Sequence, residues 1–572
     1  VVKGSYYYDL AEGNRIRVER LESNRGIIYD RNLRPLVRNS ANFLLYFVPA
    51  DLPKDNLARQ AVIKRVSENL ENLKIEDILN LLSKIKPGSF ESYQPLFIAD
   101  NIEYNKAMTL YLESDNMPGV VITNKIRREY NLYSLSLSHI LGYTGKINDK
   151  ELAKLGSEYL PIDYIGKSGM ENFWENEMKG SNGKKQIEVD ALGKEKKIIN
   201  QEVGEEGHNL VLSIDVELQK KLEESVMAVL QKNRLNKACA IALDPNNGEI
   251  LAMASFPSYN NNDFAYGLTT EQYQKITDNS DQPLFNRCIS GEYPSGSVIK
   301  PVIAAAALEE NIINENTSFL SMGGIRIGQW FFPDWKAGGH GTTNVRKALA
   351  ESVNTFFYYI GGGYQDFKGL GLERMVKYEK LFGLDAQTGV DMPGEASGFL
   401  PTEEWKLKTK GESWYIGDTY HLAIGQGDTL VTPLQVANYT AIFANGGSLY
   451  RPHLVKQVLS SQDKLISEVD NKPIKSNIVS SKNIDIVREG MRQTVTAGSA
   501  SSLQSVPVEV AGKTGTAQWS TNKPTHAWFT GFAPYNKPQI VITILIEQGG
   551  EGSSVAVPIA NEVLSWYFSQ KK

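Results

Sequence analysis

Apolar residues occur along the chain in runs that predict a mixed α and β protein. Residues 302–308 are apolar on every side and rich in alanine, which predicts a helix buried inside a domain. The apolar runs 238–243 and 250–254 flank the turn sequence Asp-Pro-Asn-Asn-Gly, which predicts a buried hairpin. A further apolar strand is expected at 539–547, before a last helix with apolar residues on one face. These runs predict a sheet that is built from both ends of one domain.

The N-terminal part of the chain has a different pattern. Residues 1–207 mix charged helical stretches with short strands and hold no combination of a nucleophile and a base. The charged segment 57–86 predicts surface helices. The polar sequence Gly-Glu-Glu-Gly at 204–207 indicates a hinge. We therefore expect two domains, with residues 1–207 in the first and residues 208–572 in the second.

Composition excludes several classes of protein. The chain is 41% hydrophobic and 22% charged, which is typical of a folded globular protein. Its net charge of −5 comes from 61 basic and 66 acidic residues spread along the chain, so we expect no nucleic-acid partner. No window of about 18 apolar residues is present, so no segment of this chain is expected to span a bilayer. Cys239 and Cys288 lie in apolar surroundings, and we expect buried free thiols there, with a disulfide as the alternative.

The segment 292–301 carries the first candidate for chemistry. Gly296 interrupts regular structure, and Pro301 is tolerated only near the first turn of a helix, so a helix should begin close to Ser297. Ser297 and Lys300 are three residues apart and share one face of that helix. A desolvated Lys300 with a lowered pKa can take the proton of Ser297 and make it a nucleophile. For an isolated Ser-x-x-Lys the alternative is a capping serine beside a solvated lysine.

Two later motifs decide between these interpretations. Ser352 and Asn354 form a Ser-x-Asn, and Lys513, Thr514 and Gly515 form a Lys-Thr-Gly. In this order the three motifs resemble those of the class B penicillin-binding proteins. The resemblance implies an α+β multidomain fold with an N-terminal, dimerisation-like pedestal domain. It also implies a C-terminal transpeptidase domain whose central antiparallel sheet is flanked by helices.

Several phrases refine the resemblance and extend it over nearly the whole chain. Residues 24–32 and 166–171 resemble the non-catalytic domain of class B proteins. The phrase Trp-Lys-Ala-Gly-Gly-His-Gly at 335–341 resembles the elongation-type proteins called penicillin-binding protein 2, as do 417–427 and 526–534. The division-type protein is the alternative within the class.

The resemblance implies acyl transfer through a covalent serine intermediate. Ser297 would attack the substrate carbonyl, and Lys300 would be the base for acylation. Ser352 would relay the proton to the departing amine, and Asn354 would hold Lys300 and the amide of the substrate. General acid–base help of this kind contributes about 10²–10⁴-fold to a rate.

Other residues would bind the substrate. Lys513 would attract its terminal carboxylate and help to keep Lys300 neutral. The hydroxyls of Thr514 and Thr516 would bond that carboxylate. Gly515, which has no side chain, would let a substrate strand lie close to the sheet edge. The backbone N–H groups of Ser297 and Thr516 would form the oxyanion hole, where one donor is worth about 2.7–4 kcal/mol.

The resemblance also implies substrates, partners and location. The donor would be the D-Ala-D-Ala end of a peptidoglycan stem peptide, the product a 4→3 cross-link, and β-lactam antibiotics would acylate Ser297. The partners would be a SEDS-type, RodA-like glycosyltransferase and scaffold proteins of the elongation complex. An N-terminal membrane helix preceding Val1 would anchor the protein, with its bulk in the periplasm.

We expect no cofactor and no metal. Some elongation-type proteins hold zinc with Asp, His and Cys near this site. Asp334 and His340 match two of these ligands, but Val353 stands where the cysteine would be.

Two other activities remain as alternatives. A class A β-lactamase would need a Glu-x-x-Leu-Asn phrase between the second and third motifs, and this phrase is absent. The other alternative is a non-enzymatic scaffold that activates a partner glycosyltransferase.

Overall fold

The fold is described from a computed structural model that covers residues 16–70, 73–131, 133–156, 159–161, 163–189 and 195–570. Residues Val1–Gly4, which would directly follow the expected membrane anchor, lie outside these ranges. Within the ranges given, no helix combines the length and the apolar character needed to cross a bilayer.

The N-terminal part is built on a long antiparallel pair of strands, Pro35–Phe47 and Val120–Tyr130. Its strands are β1 (Ile16–Leu21), β2 (Ile28–Tyr29), β3 (Pro35–Phe47), β4 (Leu96–Ile102), β5 (Val120–Tyr130), β6 (Thr144–Lys146), β7 (Tyr164–Gly166), β8 (Gly183–Val189) and β9 (Glu195–Glu202). Its helices are α1 (Asn56–Asn69), α2 (Ile75–Ser83), α3 (Tyr104–Glu113), α4 (Ser138–Leu141), α5 (Asp149–Leu155), α6 (Gly169–Phe173) and α7 (Glu175–Met178). β3 pairs with both β4 and β5, and α1, α2 and α3 pack against these strands around a small apolar core. The surface helices predicted at 57–86 are confirmed as α1 and α2.

The C-terminal part carries the larger core. Its strands are β10 (Asn209–Leu212), β11 (Ala238–Leu243), β12 (Ile250–Phe256), β13 (Ser318–Ser321), β14 (Gly324–Ile327), β15 (Trp330–Pro333), β16 (Gly341–Asn344), β17 (Val455–Leu459), β18 (Leu465–Glu468), β19 (Ala511–Ala517), β20 (His526–Ala533) and β21 (Ile540–Ile546). Its helices are α8 (Val216–Asn233), α9 (Asn261–Tyr266), α10 (Thr270–Thr277), α11 (Lys300–Glu309), α12 (Val345–Ala350), α13 (Asn354–Gly362), α14 (Gly371–Leu381), α15 (Glu403–Lys410), α16 (Ile416–Ala423), α17 (Pro433–Asn445), α18 (Ser481–Thr496) and α19 (Gly552–Ser569).

The central sheet runs in the order β12–β11–β21–β20–β19, and all neighbouring strands are antiparallel. Alternate residues of β11 enter different cores, because side chains along a strand point to opposite faces. Cys239 and Ile241 pack towards α11 and α17, whereas Ala238 and Ala240 pack towards α8 and α19. The prediction of an antiparallel sheet flanked by helices, built from both ends of this domain, is confirmed. β19 forms one edge of the sheet, so its outer backbone groups are open to another strand.

The buried helix predicted from the alanine-rich run is α11. Residues 300–307 in it are fully buried, and their small side chains let α13, α14 and α18 approach closely. α11 is therefore a central support of the domain, and it begins at the first motif.

A second sheet joins the two parts of the chain. Its order is β18–β17–β10–β2–β3–β4, so strands from before and after residue 207 share one set of hydrogen bonds. β10 lies parallel to β2, an arrangement that needs a long connection and gives no local signal in the sequence. Buried side-chain contacts reinforce this join. Asn262, for example, exchanges hydrogen bonds with both backbone groups of Tyr130.

The expectation of free thiols is wrong. Cys239 in β11 and Cys288 are joined by a disulfide, with Cα atoms 5.5 Å apart. Both residues are fully buried, as their apolar surroundings predicted. The pairing was not visible in the sequence because the two cysteines are 49 residues apart and meet only through tertiary packing. The disulfide ties the central sheet to the loop that leads to Ser297.

Candidate active site

The first motif forms a tight turn at the start of α11. Ser297 is half-buried and lies in a 3₁₀ turn, Gly296–Ile299, that continues into the helix at Lys300. Pro301 occupies the first turn of α11, as predicted. Gly296 has φ +53°, and a side chain on it would come within 2.6 Å of the carbonyl oxygen of Thr516. Glycine is needed here because the turn passes directly against β19.

Lys300 is the central group of the site. It is fully buried, and its Nζ donates to the carbonyl oxygen of Ser352 at 2.8 Å and to Asn354 Oδ1 at 2.7 Å. A longer bond of 3.3 Å reaches the Ser352 hydroxyl. Burial lowers the pKa of Lys300 to about 7, and the charge of Asp334 opposes this shift. At neutral pH a large fraction of Lys300 is therefore uncharged and able to accept a proton.

The Ser297 hydroxyl makes no hydrogen bond within the part of the chain that the structure describes. The hydrogen bonds of a catalytic site are often completed only when substrate is bound. Its position three residues before Lys300, at the mouth of a helix whose first amides point outwards, remains suited to a nucleophile.

The second motif is a strained loop between two helices. Ser352 has φ +57°, a left-handed conformation that is uncommon for residues other than glycine. It lies between α12 and α13, and the Val353 N–H bonds back to the carbonyl oxygen of Ala348 at 3.0 Å. Neither Ser352 nor Asn354 caps a helix with its side chain, because Val353 is the N-terminal cap of α13. The second motif is therefore not an ordinary helix cap.

The third motif lies on the edge strand β19. Lys513 is fully buried, and its Nζ donates to the carbonyl oxygen of Thr514 at 3.0 Å. Burial holds the pKa of Lys513 well below its usual value, and the charge of Lys300 lowers it further. The hydroxyl of Thr514 shares a 2.6 Å hydrogen bond with Ser499, and Thr516 is exposed at the strand edge.

The structure gives a different reason for Gly515 than room for a substrate. A Cβ atom at this position would lie 2.9 Å from Val298 Cγ1 and 3.1 Å from Trp528 Cβ. The space beside Gly515 is thus already filled by protein. Glycine at 515 lets β19 pack closely against the turn that carries Ser297.

One loop with no predicted role joins the first and third motifs. Gly425 accepts the N–H of Gly296 at 2.8 Å, and the side chain of Gln426 donates to the carbonyl oxygen of Thr516 at 3.3 Å. From the sequence, this phrase indicated only the elongation subtype. Its glycine-rich composition was the signal for a close backbone approach, since a side chain on Gly425 would lie 2.2 Å from the Gly296 carbonyl oxygen.

Asp334 and His340 lie beside the second motif, but the residues around them do not fit a zinc ion. Val353, which stands where a zinc site of this kind would need its cysteine, is apolar and fully buried. Glu351 is the other nearby acid, and it bonds the opposite nitrogen of the imidazole ring. Over the described residues, no group of three or more His, Cys, Asp or Glu side chains is arranged to hold a metal ion.

The three motifs therefore meet at one site. The arrangement offers a serine hydroxyl, a buried lysine near half-protonation, and a second buried lysine that a carboxylate would neutralise. The open edge of β19 can receive an extended peptide. These are the groups that acyl transfer through a serine ester requires.

Comparison with known families agrees with this geometry. Residues 238–565 match the model of the penicillin-binding protein transpeptidase domain. Residues 20–212 match the model of the penicillin-binding protein dimerisation domain.

Relatives and solved structures match the chain over nearly its full length. The "Peptidoglycan D,D-transpeptidase MrdA" of Haemophilus influenzae is 32% identical over all of this chain and 88% of its own length. A complex between penicillin-binding protein 2 and MreC from Helicobacter pylori has a TM-score of 0.81 at 31% identity, covering 97% of this chain and 99% of that one. A structure titled "Structural coordination of polymerization and crosslinking by a peptidoglycan synthase complex" has a TM-score of 0.76 at 27% identity, covering 99% of this chain and 96% of that one.

Proposed function

The chain belongs to the class B penicillin-binding proteins, where it is most similar to the elongation-type penicillin-binding protein 2, and on this premise we propose which residues carry its reaction. The protein is a serine-type peptidoglycan D,D-transpeptidase of cell elongation. Lys300 supports this assignment most strongly. It is buried, its pKa is about 7, and it bonds to both residues of the second motif.

Acylation begins with neutral Lys300. It takes the proton of Ser297, and Oγ of Ser297 attacks the carbonyl carbon of the penultimate D-Ala of the donor stem peptide. The resulting oxyanion accepts hydrogen bonds from the backbone N–H groups of Ser297 and Thr516. The peptide C–N bond then breaks, and the proton passes from Lys300 through the Ser352 hydroxyl to the departing D-Ala amine. The hydrogen bonds from Lys300 to Ser352 support this route.

Deacylation follows the same path in reverse. An amine of a neighbouring stem peptide attacks the ester carbon, and its proton returns through Ser352 and Lys300 to the Ser297 oxygen. The product is a 4→3 cross-link. Asn354 keeps Lys300 in position throughout, as its 2.7 Å hydrogen bond suggests.

The third motif selects substrates with a free carboxylate. Among the residues that the structure describes, no acidic side chain pairs with the buried Lys513, so a substrate carboxylate would supply the missing negative charge. Thr514 and Thr516 add hydroxyl donors, and the backbone of β19 at Gly515 pairs with the extended donor peptide. β-Lactams carry a carboxylate and an acylating carbonyl, and they would acylate Ser297 by the same route.

We propose that the part of the chain outside the catalytic site positions the enzyme and contacts partner proteins. Residues 1–207 form the pedestal, residues 208–572 form the catalytic domain, and the shared sheet couples the two. Structures similar to this chain contain a penicillin-binding protein 2 with MreC and a peptidoglycan synthase complex. They support scaffold and glycosyltransferase partners, which we assign as elongation-complex scaffold proteins and a SEDS-type, RodA-like enzyme. The relatives also support an extracytoplasmic catalytic domain, and we propose that a single N-terminal helix anchors it to the cell membrane.

The comparisons do not favour the alternatives. The relatives are named as D,D-transpeptidases of one elongation-type group rather than as division-type proteins. A pure scaffold would not need a buried lysine with a lowered pKa beside a serine, since such a group is costly to bury.

Complementation separates an enzyme from a scaffold. In cells depleted of the protein, the S297A variant should fail to restore elongation, whereas S290A should restore it. Ser290 is a suitable control because it lies in the same loop and its hydroxyl donates to the carbonyl oxygen of Gly394 at 2.6 Å. Growth and normal cell shape with S297A would refute the proposed role of Ser297 and favour the scaffold.

A further inference from the structure

The segment that leads into Ser297 is held by a largely buried group of side chains to which the transpeptidase reaction assigns no role. The group centres on Glu547, which directly follows β21. Glu547 Oε1 accepts hydrogen bonds from Arg287 Nε at 2.8 Å and from the Tyr293 hydroxyl at 2.9 Å. Arg287 and Tyr293 are both buried, and both precede Ser297 in the same loop. We call Arg287, Tyr293 and Glu547 the carboxylate clamp.

The carboxylate of Glu547 is fixed from two sides. Arg287 uses its other guanidinium nitrogens to donate to the carbonyl oxygens of Asp281 at 2.6 Å and Gln282 at 3.2 Å, so every branch of the guanidinium is bonded. The backbone N–H of Glu547 donates to the carbonyl oxygen of Lys237 at 3.0 Å, which continues the pairing of β21 with β11. Glu547 is therefore a rigid acceptor that is anchored to the central sheet.

Tyr293 connects the clamp to the backbone that precedes the nucleophile. Its N–H and carbonyl groups exchange hydrogen bonds with Val431, each 2.9 Å long. Its ring meets the rings of His526 and Trp528 edge-on, with centroids 5.5 Å and 6.3 Å away. A side chain on Gly291 would lie 2.4 Å from the Tyr293 ring, so glycine leaves the room that the ring needs. The ring and its hydroxyl thus fix this point of the backbone together with the pairing to Val431.

The backbone between the clamp and Ser297 is short and is held at two further points. The carbonyl oxygen of Pro294 accepts the indole N–H of Trp528 at 3.1 Å, and the N–H of Gly296 donates to the carbonyl oxygen of Gly425 at 2.8 Å. The Ser297 hydroxyl makes no hydrogen bond of its own among the described residues, so its position depends on the backbone on either side. The buried helix α11 fixes the downstream side, and the clamp begins the upstream side.

We propose that Glu547 is a positioning residue for the nucleophile, which holds Tyr293 and thereby sets the backbone from which Ser297 attacks. This inference rests on the proposed function of Ser297. A misplacement of about 1 Å at a reacting group costs up to about 10²-fold in rate. The carboxylate of the substrate is proposed to bind to β19 instead, at Lys513 and its neighbours. Loss of the clamp should therefore slow the acylation step without weakening the binding that precedes it.

The opposite end of α11 provides a matched control. Tyr378 is buried, and its hydroxyl donates to Glu310 Oε1 at 3.0 Å. Lys377 Nζ donates to the same oxygen at 2.8 Å, so this group also consists of a tyrosine, a carboxylate and a cation. Glu310 follows the last residue of α11, whereas Ser297 precedes its first. Y378F therefore removes a comparable hydrogen bond from the same domain at a distance from the nucleophile.

The experiment measures acylation of the full chain by a fluorescent penicillin over a range of drug concentrations. This separates the dissociation constant of the noncovalent complex from the rate constant of acylation. Y293F should lower the rate constant roughly tenfold and leave the dissociation constant within about twofold, whereas Y378F should change neither. Both variants lose one buried tyrosine hydrogen bond, so their melting temperatures should fall by similar amounts. A similar loss of stability with an unequal loss of rate is a result that a merely structural role would not give.

A double-mutant cycle tests whether Tyr293 acts through Glu547. R287M/E547M removes both charges together, because either change alone would leave an unpaired charge in a largely buried place. This variant should slow acylation at least as much as Y293F, and adding Y293F to it should cause no further loss. If R287M/E547M does not fold, E547Q takes its place. Its amide oxygen can still accept the Tyr293 hydroxyl, so E547Q should slow acylation less than Y293F does.

The outcomes separate the clamp from the proposed function. If the unmodified protein is not acylated, the proposed function fails and the clamp fails with it. If the unmodified protein is acylated and Y293F behaves like Y378F, the clamp alone is overturned. A full additional loss of rate when Y293F is added to R287M/E547M would overturn the role of Glu547. A weaker dissociation constant with an unchanged rate constant would place Tyr293 in drug binding and overturn the positioning role.

Discussion

Lowering the pH from 8 to 6 should slow the acylation of Ser297 about tenfold. The reaction needs neutral Lys300, whose pKa burial lowers to about 7. At pH 8 about nine-tenths of this lysine is neutral, and at pH 6 about one-tenth is. An exposed lysine, with its usual pKa near 10.5, would be almost fully protonated over this whole range.

The assay is the first-order rate of adduct formation with a saturating fluorescent penicillin. Saturation matters because Lys513, which is proposed to bind the carboxylate of the drug, also titrates below its usual range. Binding and acylation would otherwise change together. The melting temperature at each pH serves as the control for unfolding.

A flat profile between pH 6 and 8 would refute the reasoning, because it would mean that Lys300 is not the titrating base. A midpoint above about 9 would mean that burial does not lower its pKa as the structure indicates.

Three further predictions concern buried groups of the same domain. Burial lowers the pKa of Lys300 in the folded chain, so this lysine destabilises the fold increasingly as the pH falls from 10.5 towards 7. K300M should therefore raise the unfolding free energy by an amount that grows by about 1.4 kcal/mol for each pH unit over this range, and it should abolish acylation. Burial raises the pKa of Glu379 to about 8. Its contribution to folding stability is therefore fully present below about pH 4.5 and is lost as the pH rises through 8. E379Q should remove this pH-dependent loss of stability. G515A should slow acylation and lower the melting temperature, because its Cβ would press on Val298 at 2.9 Å.

Chemical denaturation at several pH values measures the first two of these effects, and thermal unfolding with acylation kinetics measures the third. A K300M variant that is less stable than the unmodified protein at pH 6 would contradict the first. An unchanged slope of unfolding free energy against pH in E379Q would contradict the second. Both carboxylate oxygens of Glu379 lack a hydrogen-bond partner among the described residues, so ionising this group in the folded chain is costly. Normal acylation by G515A would show that β19 can move away from the Ser297 turn without consequence.

The elements that carry the site were predictable because their signals are local. The alanine-rich apolar run after Lys300 favoured a buried helix, and the Asp-Pro-Asn-Asn-Gly turn between two apolar runs favoured a hairpin. The central antiparallel sheet flanked by helices followed from the family resemblance, whereas the order of its strands came only from the structure. The sheet shared by β2 and β10 was not predictable, since its pairing depends on residues about 180 positions apart and leaves no periodic pattern.

The identity of the site residues was readable from motifs, but their conformations were not. Ser352 has a backbone conformation that its residue type disfavours, and only the surrounding contacts impose it. The role of Gly515 depends on what lies opposite it, which the sequence does not state. His340 and Asp334 were noticed as remnants of a metal site, and their contacts with Glu351 and Thr355 appeared only in three dimensions.

The most direct test of the account is intact-mass spectrometry after incubation with a penicillin, followed by peptide mapping. We expect one stable adduct per chain, located on Ser297, with no adduct on the S297A variant and a normal adduct on S290A. An adduct on another residue, or none on the folded protein, would contradict the assignment of Ser297 as the nucleophile. Rapid hydrolysis of the drug without a lasting adduct would contradict the transpeptidase and identify a β-lactamase.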